Sequence, residues 1–319
     1  MRPILAVTLN PALDIATSVN HVTAGVKLRC GAPQMDPGGG GLNVARAIHL
    51  LGGQATAFVA LGGHTGQKLR ELIETAGLTL VVHPAPGETR QSLAVTDEGL
   101  GDQYRFMLPG PEWGTADLAK ASEAITAASP ADAIVVLSGS GPLGAAPDLY
   151  LDLCAALDGD GRDVIVDTSG AALHRLAEGQ HKIKPWILRM DQGEAEGLAG
   201  HALRSNEETA AFARYLLVRG VAETVIIARG AHGSVLVNAD ESLAVKAATV
   251  PVRSRVGAGD SFVGGFVKAL AEGKPLREAL SWGSATASAA VMTEGTELCR
   301  PEDAERLLAE SPVTPVQVG

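Results

Sequence analysis

The chain has 319 residues, 46% of them hydrophobic and only 3% aromatic, enough to bury the core of one large α/β domain or of two smaller ones. Its formal charge of −10 argues against a nucleic-acid or anionic-membrane surface, so an anionic ligand has to be met by a local cluster of basic side chains. Cys30, Cys154 and Cys299 are few, odd in number and widely spaced, which excludes a disulfide framework and a zinc motif and fits a reducing cytoplasm.

Residues 4–9 read as a first buried strand, and Asn10, Pro11 and Asp14 end the apolar run too soon for a signal peptide. No stretch approaches the roughly 18 to 20 apolar residues of a membrane span. Asn10-Pro11-Ala12-Leu13-Asp14 is expected to be the loop leaving the strand, at the end where parallel strands line a ligand crevice. Asp14 is thus a candidate acceptor for a sugar hydroxyl, a turn-forming Asp being the other reading. Over residues 16–35 the pattern becomes short and alternating. Lys27 and Arg29, two apart, would share one side of a strand, either as ligand-binding groups or as the charges of a solvated edge. Gly38-Gly39-Gly40-Gly41 then runs into a helix near Asn43, with more glycine than a turn requires, which permits close approach of backbone to a ligand.

A strand at 55–61 and a helix at 67–76 follow. Residues 90–95 and 103–107 alternate with period two, placing Arg90 and Ser92 on one face. With the 16–35 piece they predict a small sheet inserted between the early βα units, a discontinuous lid from about 16–35 and 88–108. Thereafter helices at 116–128, 146–156, 170–177, 192–199 and 206–218 alternate with strands at 133–137, 163–167, 186–190 and 224–228. Strands near 233–237 and 243–250 and helices at 260–271, 276–292 and 301–309 complete the chain. Such alternation predicts a largely parallel sheet covered on both faces by helices, in one domain spanning 1–319.

Arg255-Val256-Gly257-Ala258-Gly259-Asp260-Ser261 opens the first of those last helices. A helix N-terminus offers unpaired N–H groups and partial positive charge, a ready anion site. Asp260 stands out there, because a carboxylate beside a bound phosphate repels it unless it takes a proton from an attacking hydroxyl or holds a metal. A plain N-cap is the alternative. The spacing of Gly38–Gly41 differs from G-x-G-x-x-G, which weighs against a nicotinamide-dependent oxidoreductase.

Gly38–Asn43 together with Gly257–Asp260 resembles the two signatures of the ribokinase-like, PfkB carbohydrate kinase family. Asn10–Asp14, Lys27-Leu28-Arg29-Cys30, Thr89-Arg90-Gln91, Gln103-Tyr104-Arg105-Phe106 and Gly295-Thr296-Glu297-Leu298-Cys299 extend the resemblance nearly end to end. It implies a ribokinase-like α/β fold with a β lid, and transfer of the ATP γ-phosphoryl to a sugar phosphate, foremost O1 of fructose 6-phosphate. Phosphorylation of fructose 1-phosphate or tagatose 6-phosphate stays open, as does a sugar-phosphate-binding protein with weakened catalysis. The resemblance implies Asp260 as the base, with Gly257, Ala258 and Gly259 as the anion hole. It also implies Asp14, Gly39 and Asn43 on sugar hydroxyls and Arg90 with Lys27 and Arg29 on the sugar phosphate. Ser92, Arg105 and Ser140 join this substrate set. In the family Lys27 and Arg29 can arrive from the lid of a second subunit, which implies a homodimer.

ATP and Mg²⁺ are the implied cofactors, with K⁺ dependence left open. The family's N-x-x-E element is here Asp191-Gln192-Gly193-Glu194, with Glu194 on the metal side and Asp191 beside the nucleotide; Arg189-Met190 replaces the preceding Lys-Pro. The nucleotide element S-x-G-x-x-G reads Ala228-Arg229-Gly230-Ala231-His232-Gly233, without its hydroxyl.

Overall fold

Ile4–Thr8 forms β1, buried at every position, as a strand covered on both faces must be. The computed structural model describes residues 1–317 and sets β1 inside a ten-stranded sheet. Its parallel neighbours are β4 (Thr56–Leu61) and β8 (Ile134–Ser138). Beyond β4 lies β5 (Thr79–Pro84); beyond β8 lie β9 (Asp163–Asp167), β10 (Ile187–Asp191) and β11 (Thr224–Ala228), all parallel. One edge is finished antiparallel by β12 (Ser234–Val237), β13 (Ser242–Val245) and β14 (Val313–Pro315).

Alternate residues of β1 feed the two faces. Leu5 and Val7 pack with α3 (Thr115–Ala128), α4 (Leu149–Leu157), α5 (Gly170–Ala177), α6 (Gln192–Ala199) and α7 (Asn206–Val218). Ile4 and Ala6 pack with α1 (Gly40–Leu50), α2 (Gly63–Thr75), α8 (Ala258–Ala271) and α9 (Leu276–Ala290). α10 (Pro301–Leu308) seals the outer side of α9 through Ala304 and Leu307, with Pro301 in its first turn. The small-residue surface expected on α9 meets α8 closely: Phe262 lies against Gly283, and the Thr286 hydroxyl donates to Ser261 O at 2.8 Å.

A second sheet of four strands runs β3 (Gln34–Gly38), β2 (Ala12–Val19), β6 (Arg90–Asp97), β7 (Gln103–Met107). Asp14 is therefore inside β2, opposite Ser92 of β6, and not in a loop, because the chain enters this sheet directly after Pro11. Lys27 and Arg29 are the converse correction. They lie in the exposed connection between β2 and β3, where the chain turns at Gly25 and is held to β2 by Gly31 N to Ser18 O and Thr17 Oγ1 to Gly31 O. α1, α2 and α8 begin at Gly40, Gly63 and Ala258, earlier than glycine content suggests, because tertiary contacts offset its low helix propensity.

The order of strands reverses between β1 and β8, since the chain after β1 builds outward through β4 and after β8 in the other direction. At such a reversal a crevice opens beyond the carboxyl ends of the strands.

Candidate active site

α8 begins at this crevice. Its N-cap, Gly257, has φ 74°, a left-handed conformation that glycine adopts without strain. The first helical bond is Ser261 N to Gly257 O, so the N–H groups of Ala258, Gly259 and Asp260 precede the ladder and have no helical partner. Asn43, in the first turn of α1, donates through Nδ2 to Asp260 Oδ2 at 2.9 Å. Arg46, one turn further on, donates to Asn43 Oδ1 at 3.0 Å and to Pro37 O at 2.8 Å. Burial pushes the Asp260 carboxyl up to about 6, helped by Asp167 and opposed by Asn43, Arg189 and Arg46. A base so placed is ionised at neutral pH and still basic enough to take a proton.

A cleft of about 190 Å³ adjoins Asp260, walled by Gly40, Ser138 and Gly139 on one side and by Asp167, Arg189 and Glu194 on the other. Arg189 bonds Asp167 through Nη1 at 3.2 and 3.4 Å, both side chains being almost wholly buried. A Cβ on Gly259 would lie 3.2 Å from both terminal nitrogens of Arg189, so the guanidinium rests against the loop of the anion site. Burial pulls the Arg189 pKa down, and Asp167, Asp260 and Glu194 more than reverse it. Asp191 and Glu194 cap α6 reciprocally: Glu194 N donates to Asp191 Oδ1 at 2.9 Å and Asp191 N to Glu194 Oε2 at 2.8 Å. Burial, with Asp191 and Asp167 adding negative charge, raises the Glu194 carboxyl.

On the other side of the crevice the Asp14 carboxyl is raised by burial and drawn back by Arg90, Arg105, Ser92 and Arg46. Gly38 is packed so tightly on the Asp14 carboxylate that a Cβ there would overlap it. Arg90 donates to Asn10 O at 3.3 Å, and Asn10 Nδ2 reaches Ser140 Oγ at 3.3 Å and Gly141 O at 3.2 Å. Gly39 is the N-cap of α1. Ser92 is buried, its hydroxyl 3.2 Å from Met107 Sδ.

The sequence-derived residues Asp260, Gly257, Ala258, Gly259, Asn43 and Gly39 thus come together, with Asp14, Arg90, Ser92, Arg105 and Ser140 on one flank and Asp191 and Glu194 on the other. Ala228 ends β11, while Gly230 and Gly233 bound a short turn whose Arg229 is occupied by Asn206 Oδ1 at 2.5 Å; none of the three lines the cleft at Asp260. Lys27 and Arg29 make no ion pair or side-chain hydrogen bond among the described residues. Asp167 and Arg46 were not among the expected residues. Asp167 had a usable signal in its place at the end of a parallel strand, and Arg46 in its i,i+3 spacing from Asn43.

Residues 7–303 match the model of the pfkB family carbohydrate kinases. The chain belongs to the pfkB family. Among curated pfkB relatives, the ATP-dependent 6-phosphofructokinase isozyme 2 of Mycobacterium tuberculosis is 37% identical over 316 residues, 99% of this chain and 91% of the relative. The 1-phosphofructokinase of Bacillus subtilis is 32% identical over 316 residues, 98% of this chain and 99% of the relative. The crystal structure of phosphofructokinase-2 from Escherichia coli in complex with potassium superposes with a TM-score of 0.90 at 36% identity, covering 97% of this chain and 99% of that one. The fold is ribokinase-like and the protein is a phosphotransferase with an alcohol acceptor.

A kinase of this family uses ATP with a divalent metal, and the cleft carries carboxylates that could meet the metal. Among the described residues no three acidic, His or Cys side chains form a metal cage. Mg²⁺ needs none, since it keeps several waters and is bound through one or two carboxylates and the phosphates of the substrate. Glu194 and Asp191, carboxylates on the wall of the cleft, are hard oxygen donors that would hold it.

Proposed function

We propose that this kinase transfers the γ-phosphoryl group of ATP to O1 of fructose 6-phosphate, giving fructose 1,6-bisphosphate and ADP. The Asn43–Asp260 hydrogen bond at the foot of α8 carries the reading, because it fixes a base of suitable pKa beside an open helix N-terminus. Asp260 takes the O1 proton as the O1–Pγ bond forms and the bond from Pγ to the bridging oxygen of ADP breaks. The N–H groups of Ala258, Gly259 and Asp260, with Arg189, meet the charge on the transferring group. Mg²⁺ held by Glu194 and Asp191 together with the ATP phosphates would offset further negative charge. Arg90 and Arg105, gathered about Asp14, are the basic cluster that a net charge of −10 makes necessary for a sugar dianion. Ala228, Gly230 and Gly233 form the nucleotide side, with backbone in place of the missing hydroxyl.

The four-stranded sheet is the lid of a single kinase domain, and it is also the surface on which a second copy docks. Phe106 and Met107 on it, Leu108 just beyond it and Val26 in its β2–β3 connection are exposed, and Lys27 and Arg29 make no ion pair among the described residues. Three free cysteines suit a cytoplasmic enzyme.

The test is ADP release from ATP and Mg²⁺ with fructose 6-phosphate, fructose 1-phosphate, tagatose 6-phosphate and fructose in parallel, in KCl and in NaCl. Selective turnover of fructose 6-phosphate is expected. Preference for fructose 1-phosphate or tagatose 6-phosphate replaces the substrate, and folded protein inert toward all four overturns the fructose 6-phosphate assignment in favour of a binding role or an untested acceptor.

A further inference from the structure

Arg46 is half-buried between three carboxylates, Asp14 on β2, Asp36 on β3 and Asp260 on α8, yet it makes no ion pair with any of them among the described residues. Its Nη1 donates to two neutral oxygens instead, Pro37 O and Asn43 Oδ1. An Asn amide can present either its oxygen or its nitrogen to a neighbour, whereas a guanidinium can only donate. With Oδ1 taken by Arg46, the Asn43 NH₂ is the end that faces Asp260. If the amide were reversed, two oxygens would meet at Asp260 and two donors at Arg46. The bond to Pro37 O anchors Arg46 to the end of β3, so the orientation is set before any ligand arrives. Asp36 is itself tied down by Thr296 Oγ1 at 2.7 Å and Gln34 Nε2 at 2.9 Å, which leaves Arg46 its field without its hydrogen bonds.

We propose that Arg46 is a positioning residue for proton transfer: it locks the Asn43 amide so that Oδ2 of Asp260 is always occupied and Oδ1 is presented to the acceptor hydroxyl. This rests on the kinase reading above. The charged groups facing Asp260 are Asp167 from β9, Arg189 from β10 and Arg46 from α1, so removing Arg46 withdraws one of two cations and leaves a like charge.

The experiment is a double-mutant cycle of Arg46→Met and Asn43→Ala, with kcat, KM for each substrate and the pH dependence of kcat/KM. Arg46→Met is expected to lower kcat by about 10- to 100-fold, to leave the KM for ATP within about twofold, and to move the acid limb to higher pH. In the Asn43→Ala background the same change should cost about twofold or less, because the amide it orients is gone. Folded Arg46→Met with unchanged kcat and acid limb, or fully additive losses, overturns the proposal. Should Arg46→Met fail to fold, Arg46→Lys takes its place in the cycle with the same expectation of non-additive loss in kcat, since it keeps the charge and loses the planar fork. Wild-type protein inert toward every acceptor would count against the kinase reading alone. The role of Arg46 would then be read from the ¹³C titration of the Asp260 carboxyl, assigned by its absence in Asp260→Asn: an upward shift in Arg46→Met supports it, and none overturns it.

Discussion

Asp260 stands between opposing demands: the N-terminus of α8 favours its charge, and burial beside Asp167 disfavours it. The balance near 6 sets the direction of the pH response. Below that value the carboxyl is protonated and cannot accept the sugar proton, so kcat/KM should climb with pH through about 6 and then level off. Asp260→Asn should lower kcat by about 10²- to 10⁴-fold and leave the thermal midpoint little changed; a coupled ADP assay and a melt check both. Asp260, Asn43 and the glycines about them were legible in the sequence, because G-A-G-D and the glycine run are contiguous and their chemistry follows from a helix start. Asp167 and Arg46 were not, since a strand-end carboxylate and a mid-helix cation acquire meaning only from what faces them across the crevice.

α8 carries the base at one end and a tight packing surface along its length. A Cβ at Gly264 would come within 2.7 Å of Ala47 on α1, and one at Gly265 within 2.5 Å of the Thr286 hydroxyl on α9. The helix is wedged between two others, and this holds the anion site in register with Asn43. Gly265→Val should therefore destabilise the fold by about 1–3 kcal/mol through overpacking, measured by urea unfolding, and kcat should fall at temperatures where the variant is still folded. The regular βα units were readable, down to the limits of α6, α7 and β11. β5 and β14 were not, because a strand ending in proline at a sheet edge and a three-residue strand beyond the last helix carry little periodic signal. Lys27 and Arg29 failed as strand residues because alternation alone does not tell a pleated segment from an extended loop.

At the scale of the whole molecule, two sheets do different work: the ten-stranded one is covered by helices on both faces, and the four-stranded one leaves Phe106 51% and Met107 56% exposed. Exposed apolar groups on so small a sheet predict a second copy seated on it. Light scattering should give twice the 32.7 kDa chain mass at micromolar protein. Phe106→Glu should shift the population to monomer and raise the KM for the sugar phosphate more than that for ATP, if Lys27 and Arg29 serve the neighbouring site. The alternation of the sequence predicts a second sheet; the expectation that a second subunit covers it came from the family resemblance, since periodicity does not encode what covers an open face. The Asn43–Asp260 bond joins residues 217 positions apart. On the ribosome, then, β1, α1 and the sugar side of the crevice are made first and wait, inert, for the helix that brings the base. Catalytic competence appears only near the end of synthesis, and in refolding it should lag behind recovery of helical signal.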